Sequence, residues 1–550
     1  MKIKFCGAVN SVTGSCHLLT TEHHKILMDC GQYQGGKTLE AKNSEPFPFR
    51  PEEIDCMILS HAHVDHCGRI PLLVKQGFHG QIYCTKPTAD LVKIMLKDSG
   101  YIHEKEAMWA SKKAARQGKP PVEPLYTVRD AEAVFPYLVP VLYDQLIEVN
   151  DEVKIVFNDA GHILGSAITE FWIQEPSDPE RITKLVFTGD IGMCDRPILN
   201  DPVKIKKADY IIMEATYGNR LHEPGEESIA KLIHIIEETY KRGGNIIIPA
   251  FAVGRTQDLI YELNKYYDSH NDYQDLLNNI DVYVDSPMAT NVTQVFKNNA
   301  SVFDEETKRY ILGGDNPLDF DKLKFTKTTE ESMMLNNDDG KTKIILSASG
   351  MCDAGRIKHH LKHGLWNPKN SVVFVGYQAP GTLGRQIVDG EEDVSIMGER
   401  IHVGAHIYNL QGFSGHADQN GLLDWLGGLQ MKPENIFLVH GEADSKTDFA
   451  AKAKKELGLN CTIISDVCEY TLSNHAAMTY EEAIEDVIDD ESLDNIRTKL
   501  TKIHDALENI LYNTNLMINK ELPPDKLVAI GNKVTQLESD TMNLGSLISK

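Results

Sequence analysis

The 550-residue sequence contains no run of about 18 apolar residues, so nothing in it is expected to span a membrane. Its opening residues, Met1-Lys2-Ile3-Lys4-Phe5-Cys6, lack the apolar stretch and small-residue cleavage site of a secretory leader. They read as a strand, and the chain is predicted to be cytoplasmic. The 10 cysteines include no CxxC pair and keep no regular spacing, which excludes a disulfide framework and a cysteine zinc finger. Cys16, Cys30, Cys56, Cys67 and Cys194 fall near polar motifs but are expected to be small buried apolar groups. Basic charge is short too: 56 Lys and Arg face 80 Asp and Glu, a formal charge of −24. That balance as a whole repels nucleic acid. Position matters more than the sum, however. Glu481, Glu482, Glu485, Asp486, Asp489, Asp490 and Glu491 crowd one segment near the C-terminus, so a channel elsewhere can still be locally basic.

What is present begins with length, which exceeds one compact core and predicts two or three domains. Residues 1–214 alternate short apolar strands with turns and helices; Ile26–Met28, Met57–Leu59, Lys154–Phe157, Leu185–Phe187 and Tyr210–Met213 are the clearest strands. Leu91–Lys119 reads as a basic helix, which serves either as a solvated face or near a substrate. Over 215–400 longer helices separate fully apolar strands, as in a buried parallel sheet: Gly244–Pro249, Asp281–Val284, Lys343–Leu346 and Val372–Val375. Residues 401–477 return to short strands, so 215–400 reads as an α/β domain inserted into another. Over 478–550, Leu493, Ile496, Leu500, Ile503, Leu507 and Ile510 keep a heptad rhythm, as do Leu527, Ile530, Val534, Leu537 and Leu544. Glu521-Leu522-Pro523-Pro524 separates the two runs. This predicts a helical hairpin whose seam packs on its own chain or on a second copy, a homodimer being the preferred outcome.

The sharpest signal is Ser60-His61-Ala62-His63-Val64-Asp65-His66, an HxHxDH motif directly after a strand. Imidazole nitrogens and carboxylates are what a borderline divalent ion such as zinc binds. His61 and His63, two apart in extended chain, project to one side, while Asp65 and His66 open a helix and can face a second ion. Further candidates stand where apolar strands run out: Asp29, His162, Asp190 and His440. Strands of one sheet deliver their last residues to a common edge, where α/β proteins place their sites.

With these residues the sequence resembles the metallo-β-lactamase superfamily. Glu214-Ala215-Thr216-Tyr217-Gly218, Phe413-Ser414-Gly415-His416-Ala417-Asp418 and Val439-His440-Gly441-Glu442 resemble its β-CASP nuclease branch, over roughly residues 1–470. The resemblance implies an αββα sandwich carrying an inserted β-CASP domain. It implies one metal on His61, His63 and His162, a second on Asp65, His66 and His440, Asp190 bridging both, and Asp29 orienting the site. The ions would be two divalent cations, zinc first and manganese second. RNA-processing members are similar to this chain in having His at position 440, so the implied substrate is RNA, cut as an endonuclease or from the 5′ end.

A phosphodiester needs an acid for its leaving oxygen. His416 is the candidate, because a carboxylate partner, here Glu214, raises an imidazole pKa and keeps it protonated. Asp65, Asp190, Glu214 and His416 thus form the expected catalytic set. Within 215–400 a strand, a small-residue loop and a Gly-Arg helix start recur three times: Ile246–Ile248 to Arg255, Ile344–Leu346 through Ser349-Gly350 to Arg356, and Val372–Val375 through Gly381 to Arg385. Such loops offer backbone N–H groups and guanidinium forks to phosphate. A thioesterase- or lactamase-like hydrolase would need no such insert. A flavin di-iron oxidoreductase resembles HxExDH, where this chain has His63. A scaffold without catalysis would not need the full ligand set.

Overall fold

A computed structural model of the chain describes residues 1–177, 181–269, 276–337, 339–379, 381–472 and 524–548, with parts of 496–511. The acidic segment 481–491, Leu493, and the 521–523 part of the predicted hairpin turn lie outside the described residues. The chain divides into two units: Met1–Lys308 with Asn316–Asp490, and Arg309–Asp315 with Glu491–Lys550.

In the larger unit two seven-stranded sheets form the first layers. One runs Cys468–Thr471, Lys2–Phe5, His17–Thr20, Lys25–Met28, Cys56–Ile58, Gln81–Thr85, Leu138–Val141 in spatial order. The other runs Cys461–Ile463, Asn435–Val439, Tyr210–Glu214, Thr183–Phe187, Ala167–Ile173, Val153–Asp159, Ile147–Glu148. Side chains alternate across each strand, and the alternation decides which layer they join. Ile155, Phe157, Ile212 and Phe437 meet Ile3, Phe5, Ile26 and Ile58 in one core between the sheets. Ile211, Met213, Ile436 and Leu438 point the other way, onto Leu422, Trp425 and Phe449 of the covering helices Gln419–Leu426 and Ala443–Leu457. The αββα sandwich follows from this.

Strand direction then places the site. Lys25–Met28 pairs parallel with Cys56–Ile58, so Asp29 and the HxHxDH loop leave from one edge. Thr183–Phe187, Tyr210–Glu214 and Asn435–Val439 are also mutually parallel, and Asp190, Glu214 and His440 come out together. The expected basic helix starts earlier than its sequence suggests, at Lys86–Ala115, because the Thr85 side chain accepts from the Thr88 N–H and caps it.

The inserted layer is a six-stranded sheet, Leu323–Phe325, Asp281–Val284, Lys343–Ser347, Ile246–Pro249, Ser371–Phe374, His406–Asn409. It does not stop at 400. His406–Asn409 pairs parallel with Ser371–Phe374, a partnership whose register the chain's local pattern does not disclose. The three strands that lead to Gly-Arg starts are immediate neighbours, so their loops share one edge.

In the smaller unit Pro524–Ile548 is a helix, and Leu527, Ile530, Val534 and Leu537 on it are exposed. Ile496, Leu500, Ile503, Leu507 and Ile510 are exposed as well. Among the described residues no helix is long and apolar enough to cross a membrane. Cys16, Cys30, Cys56 and Cys67 are buried, whereas Cys194 is exposed.

Candidate metal centre

Each candidate ligand sits at a strand end or on the short turn after it. His61 and His63 leave the Cys56–Ile58 strand in extended chain, and Val64–Cys67 forms one helical turn that redirects Asp65 and His66. Gly189 has φ 53°, and a Cβ there would lie 2.7 Å from that of Ser60, so glycine lets the Asp190 loop lie against the histidine loop. Asp29 at φ 57° and His440 at φ 45° hold left-handed backbone without being glycine. Such strain concentrates at functional positions.

The ring nitrogens converge. His63 Nδ1 lies 3.1 Å from both His61 Nε2 and His162 Nε2. His66 Nε2 is 3.2 Å from His440 Nε2, which is 3.5 Å from Asp65 Oδ2. Asp190 stands between the groups, its Oδ2 at 3.2 Å from His66, 3.5 Å from His61 and 3.6 Å from His162. Among the described residues the ligand atoms of His61, His63, His162 and Asp190 all lie within 4.8 Å of one another, as do those of Asp65, His66 and His440.

This donor set fits divalent cations. Nitrogens bound tetrahedrally at about 2.0–2.1 Å sit roughly 3.3 Å apart, close to the spacing seen here. Buried Asp190 Oδ1 has no hydrogen-bond partner. Burial holds the His61 and His162 rings well below the usual imidazole pKa and pushes His63 down to about 4, so they present neutral lone pairs. Burial also opposes charge on His66, but Asp190 and Asp29 outweigh it and raise its pKa. A cation is therefore favoured between those carboxylates.

The partners behind the candidate ligands set which nitrogen faces inward. Asp29 Oδ2 lies 2.6 Å from His66 Nδ1 and accepts from the Ser15 and Ser60 hydroxyls, while its Oδ1 accepts from the Ser60 N–H. His162 Nδ1 is 3.1 Å from the Gly415 carbonyl, and His440 Nδ1 is 3.1 Å from Thr216 Oγ1. Asp29→Ala should lower metal affinity about 10–100-fold while leaving every ligand in place. Titration against a chelator measures this, and an unchanged affinity would remove Asp29 from the orienting role.

His416 lies on the rim. Its Nδ1 is 3.2 and 3.3 Å from the two Glu214 oxygens and 3.8 Å from Asp190. The Ile191 N–H donates to Glu214 at 2.6 Å and holds that carboxylate in position. Burial would lower the His416 pKa, yet Glu214 and Asp190 raise it to about 9. Ala417 N–H donates to the Ile191 carbonyl, which stitches the His416 loop to the Asp190 loop.

The Gly-Arg loops divide. Arg255 is buried with Nη1 3.4 Å from Asp258, and Arg356 donates at 2.6 Å to the buried Asp285. Both guanidiniums are thus engaged inside the protein. Arg385 is held by Asp389 on the wall of an open cavity. Ser349 bonds back to the Ala354 carbonyl, Gly350 packs against the half-exposed Phe251 ring, and Gly381 faces open space. The first loop does reach the metal edge, since a Cβ on Gly254 would touch Ile163 at 3.4 Å.

Family models match three stretches: a metallo-beta-lactamase superfamily domain at 18–184, a Beta-Casp domain at 256–387, and a Zn-dependent metallo-hydrolase RNA specificity domain at 400–464. Ribonuclease TTHA0252 of Thermus thermophilus is 38% identical over 444 residues, which cover 81% of this chain and 94% of that protein. The chain belongs to the β-CASP ribonucleases of the metallo-β-lactamase superfamily. Transcription termination factor FttA of Methanocaldococcus jannaschii is 32% identical, covering 83% of this chain and 69% of the factor. FttA of Methanosarcina mazei is 31% identical, with 85% and 71% covered. The fold and the RNA reading expected from the sequence agree with this family, and its metal dependence agrees with the His/Asp cluster.

Two further residues of this β-CASP chain position the candidate groups, and only Arg196 lies outside the sequence motifs. Arg196 Nη1 donates to the His162 carbonyl at 3.3 Å and to the Gly415 carbonyl at 3.2 Å, and its Nη2 pairs with Asp258 at the start of the Arg255–Ser269 helix. One guanidinium thereby ties the insert to a ligand loop and to the His416 loop. Thr216 orients His440 in the same manner. Arg196 has no sequence signal, because its carbonyl partners stand 34 and 219 residues away, whereas Thr216 lies in the Glu214–Gly218 motif.

Proposed function

We propose that the protein cuts RNA with two divalent cations, zinc first and manganese as the substitute. Metal-dependent hydrolysis of RNA itself rests on family membership: an RNA specificity domain at 400–464 and extended identity to a ribonuclease. The finer reading assigns His61, His63 and His162 to one cation, and Asp65, His66 and His440 to the other. The observation that carries it is the single Asp190 carboxylate within 3.2–3.6 Å of rings from both groups.

When bound, the cations supply charge against the phosphate and lower the pKa of an attacking water. The rest belongs to the chain. The imidazoles of the two groups would hold the cations, and Asp190 stands between the groups. Asp65, with 18% of its side chain exposed against 1% for Asp190, is the ligand carboxylate open to accept a proton from water. His416 Nδ1 faces Glu214, so Nε2 is the atom that gives a proton to the leaving oxygen. Arg385 and the loops at Ser349-Gly350 and Gly381 line the path of the RNA backbone. Metal-loaded protein on end-labelled and circular RNA tests the reading. Cut circles establish internal cleavage. Intact RNA beside hydrolysed thioester or lactam would replace it with the small-molecule alternative.

The exposed apolar rhythm of the smaller unit supports a homodimer, and a cytoplasmic setting belongs to the same proposal. Val534→Glu with Leu537→Glu should then halve the mass seen by light scattering at unchanged metal content. An unchanged mass would leave the seam without a role in assembly.

A further inference from the structure

An open cavity of about 270 Å³ lies between the His416 loop and the insert, and its walls include Tyr217, Arg220, His222, Tyr377, Arg385 and Ser414. Its residues come from loops around 217–222, 376–389 and 409–414, and of them Tyr217, Ser414 and Arg385 stand in the motifs named above. Its place is informative. Ser414 is two residues from His416, and the Tyr217 ring stands edge-on to His416 at 5.8 Å and to His222 at 4.7 Å. The cavity therefore adjoins the proposed proton donor, about one ring's width from it.

Its chemistry is that of a stacking site. Tyr377 is half-buried and presents one face to the cavity side, where the exposed Arg220 guanidinium lies 5.6 Å from the ring centroid. A planar cation resting on an aromatic face marks a surface that accepts a flat, polarisable group, and single-stranded RNA offers such groups as bases. Among the described residues no side chain hydrogen-bonds the Arg220 guanidinium and resists its exchange for a base. Arg385 is kept in place by both oxygens of Asp389, at 2.9 and 2.8 Å through Nε, and leaves its terminal nitrogens for a flanking phosphate.

We propose that this cavity is a nucleobase subsite: it takes the base of the nucleotide on the leaving-group side of the cut, stacked on Tyr377 with Arg220 on its outer face. The side is set by His416, since the leaving oxygen must come to its Nε2, so the inference rests on the ribonuclease reading given above. The subsite orders one nucleotide next to the scissile bond and reads a face common to all four bases. It therefore adds binding without strong sequence preference.

The test is steady-state cleavage of a short RNA cut at one position, by metal-loaded full-length protein, with an abasic residue moved across the cut. Tyr377→Ala should raise KM about 5- to 150-fold, the usual worth of one base–aromatic stack. Metal content equal to the parent's shows that the variant is folded, and Tyr377→Phe should restore the parent's KM. The abasic residue on the leaving-group side should cost the parent a similar factor, and Tyr377→Ala should add nothing to it. Equal losses on intact and abasic RNA, or none on either, overturn the subsite. Coupling to a base on the other side of the cut overturns its placement while the ribonuclease reading stands. A parent that cuts no RNA at all overturns both.

Discussion

His63→Ala and Asp190→Asn should each yield protein with less than two metal ions per chain and no measurable cleavage of RNA. His63 Nδ1 is the nitrogen that both His61 and His162 face at 3.1 Å, so its loss opens a three-imidazole set to two. A cation held by two neutral nitrogens exchanges readily with water and chelator. Asp190→Asn acts differently. It keeps the shape but removes the anion that faces rings from both groups, and an amide nitrogen turned inward repels a cation. Metal analysis by mass spectrometry, beside RNA digestion, decides the matter. Fully metallated and active protein from either variant would sink the two-cation assignment.

His416→Ala should keep both ions yet lose about 10²–10⁴-fold in RNA hydrolysis, the usual worth of a positioned acid. The expectation rests on geometry, because His416 Nδ1 is committed to Glu214 while the ring stays 21% exposed and reaches the rim. An activated ester such as a nitrophenyl phosphodiester has a leaving group that departs without a proton, so the loss there should shrink. Equal losses on RNA and ester would remove His416 from the acid role. Loss of metal would make it a ligand.

The sandwich and the candidate ligand set were legible because both are written locally. Short apolar runs mark Val153–Asp159 and Tyr210–Glu214 as strands, and a polar residue where the apolar run stops marks Asp190 or His440 as an edge group. A divalent cation restricts ligands to a few residue types, so the pattern carries chemistry as well as position. What stayed hidden depends on pairing across the chain. His406–Asn409 joins the inserted sheet only through Ser371–Phe374. Arg255 and Arg356 follow the same Gly-Arg pattern as Arg385, yet they find Asp258 and Asp285 inside the protein. Arg196 and Tyr377 gain their roles from carbonyls and loops brought in by folding, which no spacing encodes.

The ligand set is also spread along the chain in a way that sets when the enzyme comes into being. His66 and His440 face each other across 374 residues of sequence. At roughly 5–20 residues per second of synthesis, about 20–75 s separate their emergence. During that interval the growing polypeptide carries HxHxDH, His162 and Asp190 but, of the proposed set, neither His416 nor His440. On that proposal, a polypeptide released early lacks one metal-binding group and the proton-donating group. On the proposed assignment, activity waits for the strand Asn435–Val439, which brings His440 beside Tyr210–Glu214.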